Sequence, residues 1–547
     1  MNKHDIIIIF ACFCTVLALG SCSSMMDTKP TTDIDSKTVL SDADGLNVAL
    51  NGVYATLYNR IDFVTANAHQ CFGVPAVVLA ADLMGEDMVQ EAQGAGWFWH
   101  DYNYEERQRY ASKIYGCYFR WKYFYQIIGN VNYIISAENT ASGDSTEIEN
   151  IMGQAYSLRA YAYFMLIQSY QQTYVGHESL PGVPIYTDPT TSSTEGAGRG
   201  TVSDTYAQID SDINKGIALL EESGMDQDHK SHLDYYAANL LKARIALVEN
   251  RWNDAAEASA IAMKKPGCTL LTRAQATVVK GTFDDNTFDW TTGSTPFNSI
   301  SSPDVMWGAE QLSEQSNVYA SLYSMMDACT NVYYAAESPK CISNWLYSQI
   351  PSTDIRKGWW NGDIGKPLSS WKYGANINYN QFKFQWRNQE AHTGDIVFMR
   401  MEEAYLINAE ALCKLQDFDG ARNSLVEVGS RRDTSFAKRV AFLTGSEQTF
   451  ASVGKVTTLY DEIILQRRIE LWGETGRMFD ILRLAKGFTR YWYVDGMITN
   501  HVNYLSKYAE YLDFPADYME CIFLIPQAEI DINPKISAED QNPYVLQ

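Results

Sequence analysis

Small residues recur at helical spacing in paired segments of this chain, and that pattern restricts its fold more than any other feature. Segment 234–263 carries Ala237, Ala238, Ala243 and Ala246 in one stretch, Trp252 at a bend, and Ala255, Ala256, Ala258 and Ala260 in the next. Segment 400–428 repeats the arrangement with Ala404, Ala409, Ala411, Phe418 and Ala421. A third unit opens with a helix from Ile148 to Tyr170, and its partner is predicted to begin near Thr201 and Asp204. Side chains this small let two antiparallel helices approach closely, so each segment predicts a helical pair of the tetratricopeptide kind. The repeats are degenerate and widely separated, which argues against a regular solenoid. The expected fold class is mainly α: a scaffold of tetratricopeptide-like helical pairs with large irregular loop insertions and short strands.

The N-terminus sets where such a scaffold resides. After Lys3, the run from Ile6 to Leu19 is apolar but too short to span a bilayer core of ~30 Å. It ends in Leu19-Gly20-Ser21-Cys22, the arrangement a lipoprotein signal peptidase cleaves, leaving Cys22 as an acylated N-terminus. Acyl chains contribute ~0.8 kcal/mol per buried CH₂, so several of them make a durable anchor. The polar stretch 23–38 reads as a tether. The division expected is 1–21 signal peptide, 22–38 tether, 39–267 N-terminal helical region, and 268–547 C-terminal region, forming one unit. The part from about Cys268 to Thr393 is rich in Gly, Pro, Asn and Trp and predicts loops and short strands; helical signals return after Gly394.

Lys+Arg 43 against Asp+Glu 66 leaves a formal net charge of −23, a surface that repels nucleic acid and anionic lipid. Aromatic residues are abundant, with 35 Tyr, 22 Phe and 13 Trp, many of the Trp in Gly-, Asn- and Ser-rich segments. A flat ring offers an apolar face to the C–H face of a sugar, which favours a carbohydrate ligand over a charged one. Beyond Cys22 the mature chain has Cys71, Cys117, Cys268, Cys329, Cys341, Cys413 and Cys521, without a CxxC pair or metal-ligand spacing. Buried free thiols are expected, with one disulfide such as Cys329 to Cys341 as the alternative. No cofactor and no metal site is expected.

Catalytic patterns are weak. Neither a phosphate-binding loop nor H-E-x-x-H nor G-x-S-x-G occurs, and Gly196 to Gly200 reads as a linker. His229 and His232 fit a solvated helix start. Glycoside hydrolysis needs two carboxylates facing each other across roughly 5 to 9.5 Å. The pairs Glu86/Asp87, Asp284/Asp285 and Glu402/Glu403 are adjacent in sequence, so their side chains diverge.

Several stretches resemble the SusD/RagB family of glycan-binding outer-membrane lipoproteins. At the N-terminal end they are the lipidated cysteine, DTKPTTDI at 27–34, ALNGVYATLY at 49–58 and WKYFYQIIGNVNYII at 121–135. More specific are RMEEAYLINAEAL at 400–412, RRIELWGETGRMFDILR at 467–483 and LIPQAEIDINPKISAEDQNP at 524–543. The resemblance implies a helical body with about four tetratricopeptide-like units, a shallow aromatic sugar site, and no enzymatic activity. It implies two partners besides the outer membrane: a glycan, for which neutral sugars fit the acidic surface, and a SusC-like TonB-dependent transporter over which the protein closes. The acidic residue that often follows the lipidated cysteine is delayed here to Asp27, which leaves outward display less supported than lipidation. In the C-terminal motif, Glu470, Glu474, Arg477, Asp480 and Arg483 are spaced to pair along a helix, with a local break or close backbone packing expected at Gly473 and Gly476.

The ligand loop expected is 94–102, where glycines permit an exposed turn and no helical period buries Trp97, Phe98 and Trp99 together. Tyr102, Asp82 and Asn103 are the companions assigned to it. A second group, Trp290, Trp307, Tyr333, Tyr334, Trp345, Trp359, Trp360 and Trp371, lies in the insertion-rich region, and one or two of its members are expected at the ligand. The rival functions are a surface glycoside hydrolase and a binding protein for peptide or another nutrient.

Overall fold

A computed structural model describes residues 39–543 apart from 62, 65–66, 112–114, 226–228, 281, 284–287, 290–292, 329–332, 365–376, 495–496 and 501–512. The signal, Cys22, the tether, Asp284, Asp285, Trp290, Cys329 and Trp371 therefore lie outside the described residues, as does the side chain of Tyr333.

Helices dominate: α1 (Ala43–Thr56), α2 (Val74–Met84), α3 (Cys117–Ile135), α4 (Ser145–Tyr170), α5 (Val202–Ser223), α6 (Tyr235–Val248), α7 (Trp252–Ala262), α8 (Met401–Lys414), α9 (Phe418–Gly429), α10 (Leu459–Glu470) and α11 (Arg477–Leu484). Their starts are chemically marked. Thr201 and Asp204 form a capping box on α5, and Thr458 and Asp461 form one on α10, each satisfying backbone N–H groups that the first helical turn leaves open.

The longest pair, α4 and α5, runs antiparallel. Arg159 reaches Asp212 through two hydrogen bonds of 2.7 and 2.8 Å, while Phe164 meets Tyr206 further along one helix and nearer the start of the other. Gly153 and Gly216 set the closeness of the crossing. A Cβ on Gly153 would stand 2.9 Å from the Gly216 carbonyl oxygen, and one on Gly216 2.8 Å from that of Gly153. Arg251, in the turn between α6 and α7, pairs with Glu249, Asp254 and Asp210. Asn408 of α8 donates to the Ala256 carbonyl of α7 at 3.1 Å and accepts from Ser424 of α9 at 2.7 Å, stitching the predicted pairs in 234–263 and 400–428 together.

Between these helices the chain makes short strands, including β1 (Met88–Gln90), β2 (Val305–Ala309), β3 (Lys340–Ile342) and β4 (Ile396–Arg400). β1 pairs antiparallel with β3, Met88 opposite Ile342 and Gln90 opposite Lys340. β2 pairs with β4 through an irregular register. The first ribbon carries loop 91–98 on its edge and joins it to the segment after residue 333.

A buried charge network ties the C-terminal half together. Arg432, fully buried, bonds Glu402 at 2.8 Å and Glu470 at 2.9 Å; Arg356 bonds Glu470 at 3.2 Å; Arg400 bonds Glu474 at 2.6 Å. Burial raises the Glu470 carboxyl, but Arg432, Arg400 and Arg356 outweigh it and hold the carboxyl far below its ordinary value. The expected helical break is present, since α10 ends at Glu470 and α11 starts at Arg477, with Gly473 at φ 79° and Gly476 at φ 74°. One expectation is corrected: Glu470 and Glu474 pair across elements rather than along a helix, and only Asp480 keeps helical partners, Arg483 at 2.6 Å and Arg477 at 3.9 Å. The break lets the two halves of the motif face different neighbours.

Cys71, Cys117, Cys268, Cys341, Cys413 and Cys521 are buried free thiols. Among the described residues no helix is long and apolar enough to cross a membrane, and no cluster of His, Cys, Asp and Glu has the geometry to hold a metal ion.

Candidate functional site

Loop 91–98 leaves β1, exposes Gln93, Gly94 and Ala95, and returns to the core at Phe98. Positive φ at Gly94 (54°), Gly96 (88°) and Phe98 (60°) produces the tight return. Gln90 Nε2 donates to the Trp97 carbonyl at 3.1 Å, and the Phe98 N–H donates to Gln70, so the loop is fixed at both ends of the turn.

Trp97 is half-buried and sits in a cluster of four rings from four separate segments. Its indole lies 5.0 Å from the His69 ring and 5.4 Å from Tyr334, the latter edge-on at 83°. His69 stacks on Tyr319 at 5.5 Å with 19° between planes, and its Nδ1 is 2.9 Å from the Tyr334 hydroxyl. Tyr319 is 47% exposed, so the cluster opens to solvent on that side. Burial, and secondarily Arg60, lower the His69 pKa, which keeps the imidazole neutral at physiological pH. The Trp97 Nε1–H finds no acceptor among the described residues. Apolar ring faces and a neutral imidazole together suit a ligand with C–H faces and hydroxyl groups.

The other residues assigned to the loop are inside the protein. Phe98 is wholly buried against Phe72 and Tyr115; Trp99 is buried beside Tyr102; and Tyr102 lies under Arg490, whose guanidinium is 4.6 Å from the ring. Trp99 and Tyr102 belong to a short helix, Trp99–Tyr102, which turns them inward in spite of the adjacent glycines. Asp82 accepts from the Arg477 N–H at 2.8 Å, joining α2 to α11, and burial pushes its carboxyl up to about 8. Asn103 is buried at the end of the short helix.

The second group needs the same correction. Trp307, Trp359 and Trp360 are 0% exposed. Trp307 packs on Tyr161 and Phe398 and donates to the Ser231 carbonyl at 3.3 Å. Trp359 donates to the Ala276 carbonyl at 2.8 Å, and Trp360 packs edge-on against Trp472. Protein already fills the space a sugar would take. Trp345 is half-buried, with Arg468 4.9 Å from its ring. Among the described residues of that group, only Tyr334 joins Trp97. His69 and Tyr319 went unnoticed in the sequence, because a histidine in a Gly/Asn-flanked turn and a tyrosine in a Ser/Asn-rich loop carry no periodic signal.

Candidate carboxylate pairs are also committed. Glu86 is bonded by Arg477 at 2.8 Å and Asp87 by Arg468 at 2.6 Å; Glu402 and Glu403 bind different arginines, Arg432 and Arg244. None of these four faces an open cleft, since all are buried.

A family model described as starch-binding, associating with outer membrane, matches residues 31–247, and one described as the SusD family matches residues 343–544. Together they take in more than half of the chain. The chain belongs to the SusD family. The SusD fold is also found by comparison with solved structures. A SusD-like carbohydrate-binding protein from Bacteroides vulgatus ATCC 8482 is 23% identical over 92% of this chain and 99% of its own, with a TM-score of 0.70. A laminarin-binding SusD-like protein is 16% identical over 92% of this chain and all (100%) of its own, with a TM-score of 0.60. The surface glycan-binding protein A of Bacteroides uniformis is 16% identical over 91% and 98% of the two chains, with a TM-score of 0.62. At such identities the likeness is one of fold. A comparison with curated proteins finds no match.

Proposed function

We propose that this SusD-family protein is a noncatalytic glycan-binding lipoprotein of the outer membrane, anchored through Cys22 and displayed at the cell exterior. It captures a neutral oligosaccharide or polysaccharide and delivers it to a SusC-like TonB-dependent transporter. The observation that carries the reading is the ring cluster of Trp97, His69, Tyr319 and Tyr334, open to solvent at Tyr319. Family membership and the carbohydrate-binding proteins of the same fold support it. The net charge of −23 favours neutral over sulfated or sialylated sugars.

Binding would rest on ring stacking with a few hydrogen bonds, an arrangement that releases ligand readily and suits handover. A glycan array, followed by calorimetry on each hit with wild type and the Trp97→Ala/Tyr319→Ala double variant, tests the reading. Binding lost in a folded double variant supports it; binding unchanged in that variant removes the cluster from the function.

A further inference from the structure

A second feature of the surface lies away from the aromatic cluster. One side of α3, the connection 184–194 and the C-terminal segment 526–532 enclose an open groove of about 590 Å³, within the roughly 300–1,000 Å³ typical of ligand sites. Trp121, Tyr125 and Gly129 of α3 line it from one side and Tyr186 from another, with Thr190 and Thr194 at the rim.

The polar ends of its aromatic residues are already used. Tyr125 donates its hydroxyl to the Pro184 carbonyl at 2.8 Å, the Tyr186 hydroxyl accepts from the Ala197 N–H at 2.9 Å, and Trp121 Nε1 donates to Glu529 at 3.2 Å. What these residues leave for an occupant is ring surface. The lining carries one cation and one anion, Lys122 and Glu529. Glu529 accepts from Trp121 on one oxygen and from Asn533 on the other, and the Lys122 ammonium sits 4.6 Å from the Phe63 ring. On a chain of net charge −23 this is an aromatic trough whose lining charges balance, with a hydroxyl-bearing rim.

Gly129 leaves one wall of the groove open. A glycine in a helix interior is unfavourable, and packing usually explains it when it persists. Here nothing lies within 4 Å of where its Cβ would stand, so no protein neighbour requires the glycine. The missing side chain keeps the groove deep. The walls are held rigidly: Asn132 donates to the Tyr186 and Asp188 carbonyls at 2.9 and 3.1 Å, and Arg159 donates to that of Thr187 at 3.0 Å. The groove is therefore preorganised rather than formed on binding.

We infer that this groove is a second binding site for a neutral oligosaccharide, separate from the Trp97 cluster, with Tyr125 and Tyr186 as stacking surfaces and Gly129 as the opening. The ligand class follows from ring faces, from lining charges that sum to zero and from a threonine rim, and it rests on the glycan-binding reading.

The purified protein, titrated calorimetrically with laminarihexaose and with maltohexaose, tests it. Gly129→Leu fills the groove while raising helix propensity, so the variant folds; Tyr125→Ala removes a wall. The expected result is that the best of the two probes binds wild type at two sites, that Gly129→Leu and Tyr125→Ala weaken one of them about tenfold or more, and that Trp97→Ala/Tyr319→Ala weakens only the other. If Gly129→Leu titrates as wild type does, the groove takes no glycan and the inference is overturned; if that variant instead loses retention of an outer-membrane protein, the groove is a protein-docking surface and the inference is likewise overturned. Loss of binding in Gly129→Leu with none in the Trp97/Tyr319 double variant would keep the groove and overturn the cluster.

Discussion

His69 and Tyr319, 250 positions apart in the chain, stack at 5.5 Å with nearly parallel rings, and this contact joins the 310 turn Ala68–Gln70 to a loop of the insertion-rich region. Through it, the exposed Tyr319 ring is held in one orientation beside Trp97. A preheld ring loses little freedom when a ligand covers it, which favours these rings over the buried tryptophans as the proposed glycan surface.

Removing either outer ring therefore weakens glycan binding without disturbing the fold. Tyr319→Ala and Trp97→Ala each cost about 1 kcal/mol of affinity, close to tenfold. Tyr319→Ala leaves the Tm within about a degree, since exposed substitutions away from structural features change stability little. Calorimetry and differential scanning fluorimetry on the same samples separate the two effects; a Tyr319→Ala protein with unchanged affinity would contradict the site.

The carboxyl of Asp82 gives the fold a pH dependence of known sign. Burial raises its pKa from 3.8 to about 8, so the folded state holds a proton that the unfolded chain releases. The stability contributed is full below pH ~4 and declines as pH rises toward about 8. Asp82→Asn mimics the neutral acid and keeps an acceptor for the Arg477 N–H. Its Tm relative to wild type is expected to rise steadily from pH 5 to pH 8, and a pH-independent difference would show that Asp82 is already ionised in the fold.

Lys340 has the opposite sign. Burial lowers its ammonium from 10.5 to about 7, so the folded state keeps it neutral while the unfolded chain is still protonated. Stability therefore rises with pH between about 7 and 10.5. Lys340→Met removes that slope, so the Tm of the variant minus that of wild type should fall as pH rises from 7 to 9.5, on top of a pH-independent loss of the Ser338 hydrogen bonds.

Arg432 sits between Glu402 and Glu470 with none of its surface exposed. Arg432→Met leaves two buried carboxylates short of a partner and is expected to cost about 3–5 kcal/mol. Urea unfolding should show a marked fall in midpoint, together with lower yield of folded protein; a change under about 1 kcal/mol would mean the network is exchanged for solvent more easily than its burial implies.

Gly476 connects α10 to α11 at φ 74°, and a Cβ there would stand 2.8 Å from the Phe479 ring and 3.0 Å from Ala81. Gly476→Ala adds the left-handed penalty of roughly 1–2 kcal/mol to that contact. Its effect should appear as a lower Tm with unaltered glycan affinity, because the α2–α11 junction lies in the body and not at the ring cluster.

The helical units were legible because their information is local. Alanine spacing in 234–263 and 400–428, the helix start near Thr201 and Asp204 and the glycines at 473 and 476 each depend on residues within a few positions of one another, and all have counterparts in the structure. The same holds for the predominance of loops and short strands between Cys268 and Thr393. Family membership was carried by stretches of this kind, so it too was written in the linear sequence.

Which aromatic residues reach solvent was decided only by tertiary packing. Trp97, Phe98 and Trp99 are consecutive and chemically alike, yet one is half-buried at the surface and two are in the core, because the turn at Gly96 and Phe98 sends the chain inward toward Phe72 and Tyr115. Trp359 and Trp360 sit in a stretch that reads as a loop, but Lys383, Trp472 and Phe297 from distant segments enclose them. Local sequence determines the backbone an aromatic residue stands on. Whether its face meets water, and so a ligand, depends on what the rest of the chain stacks against it.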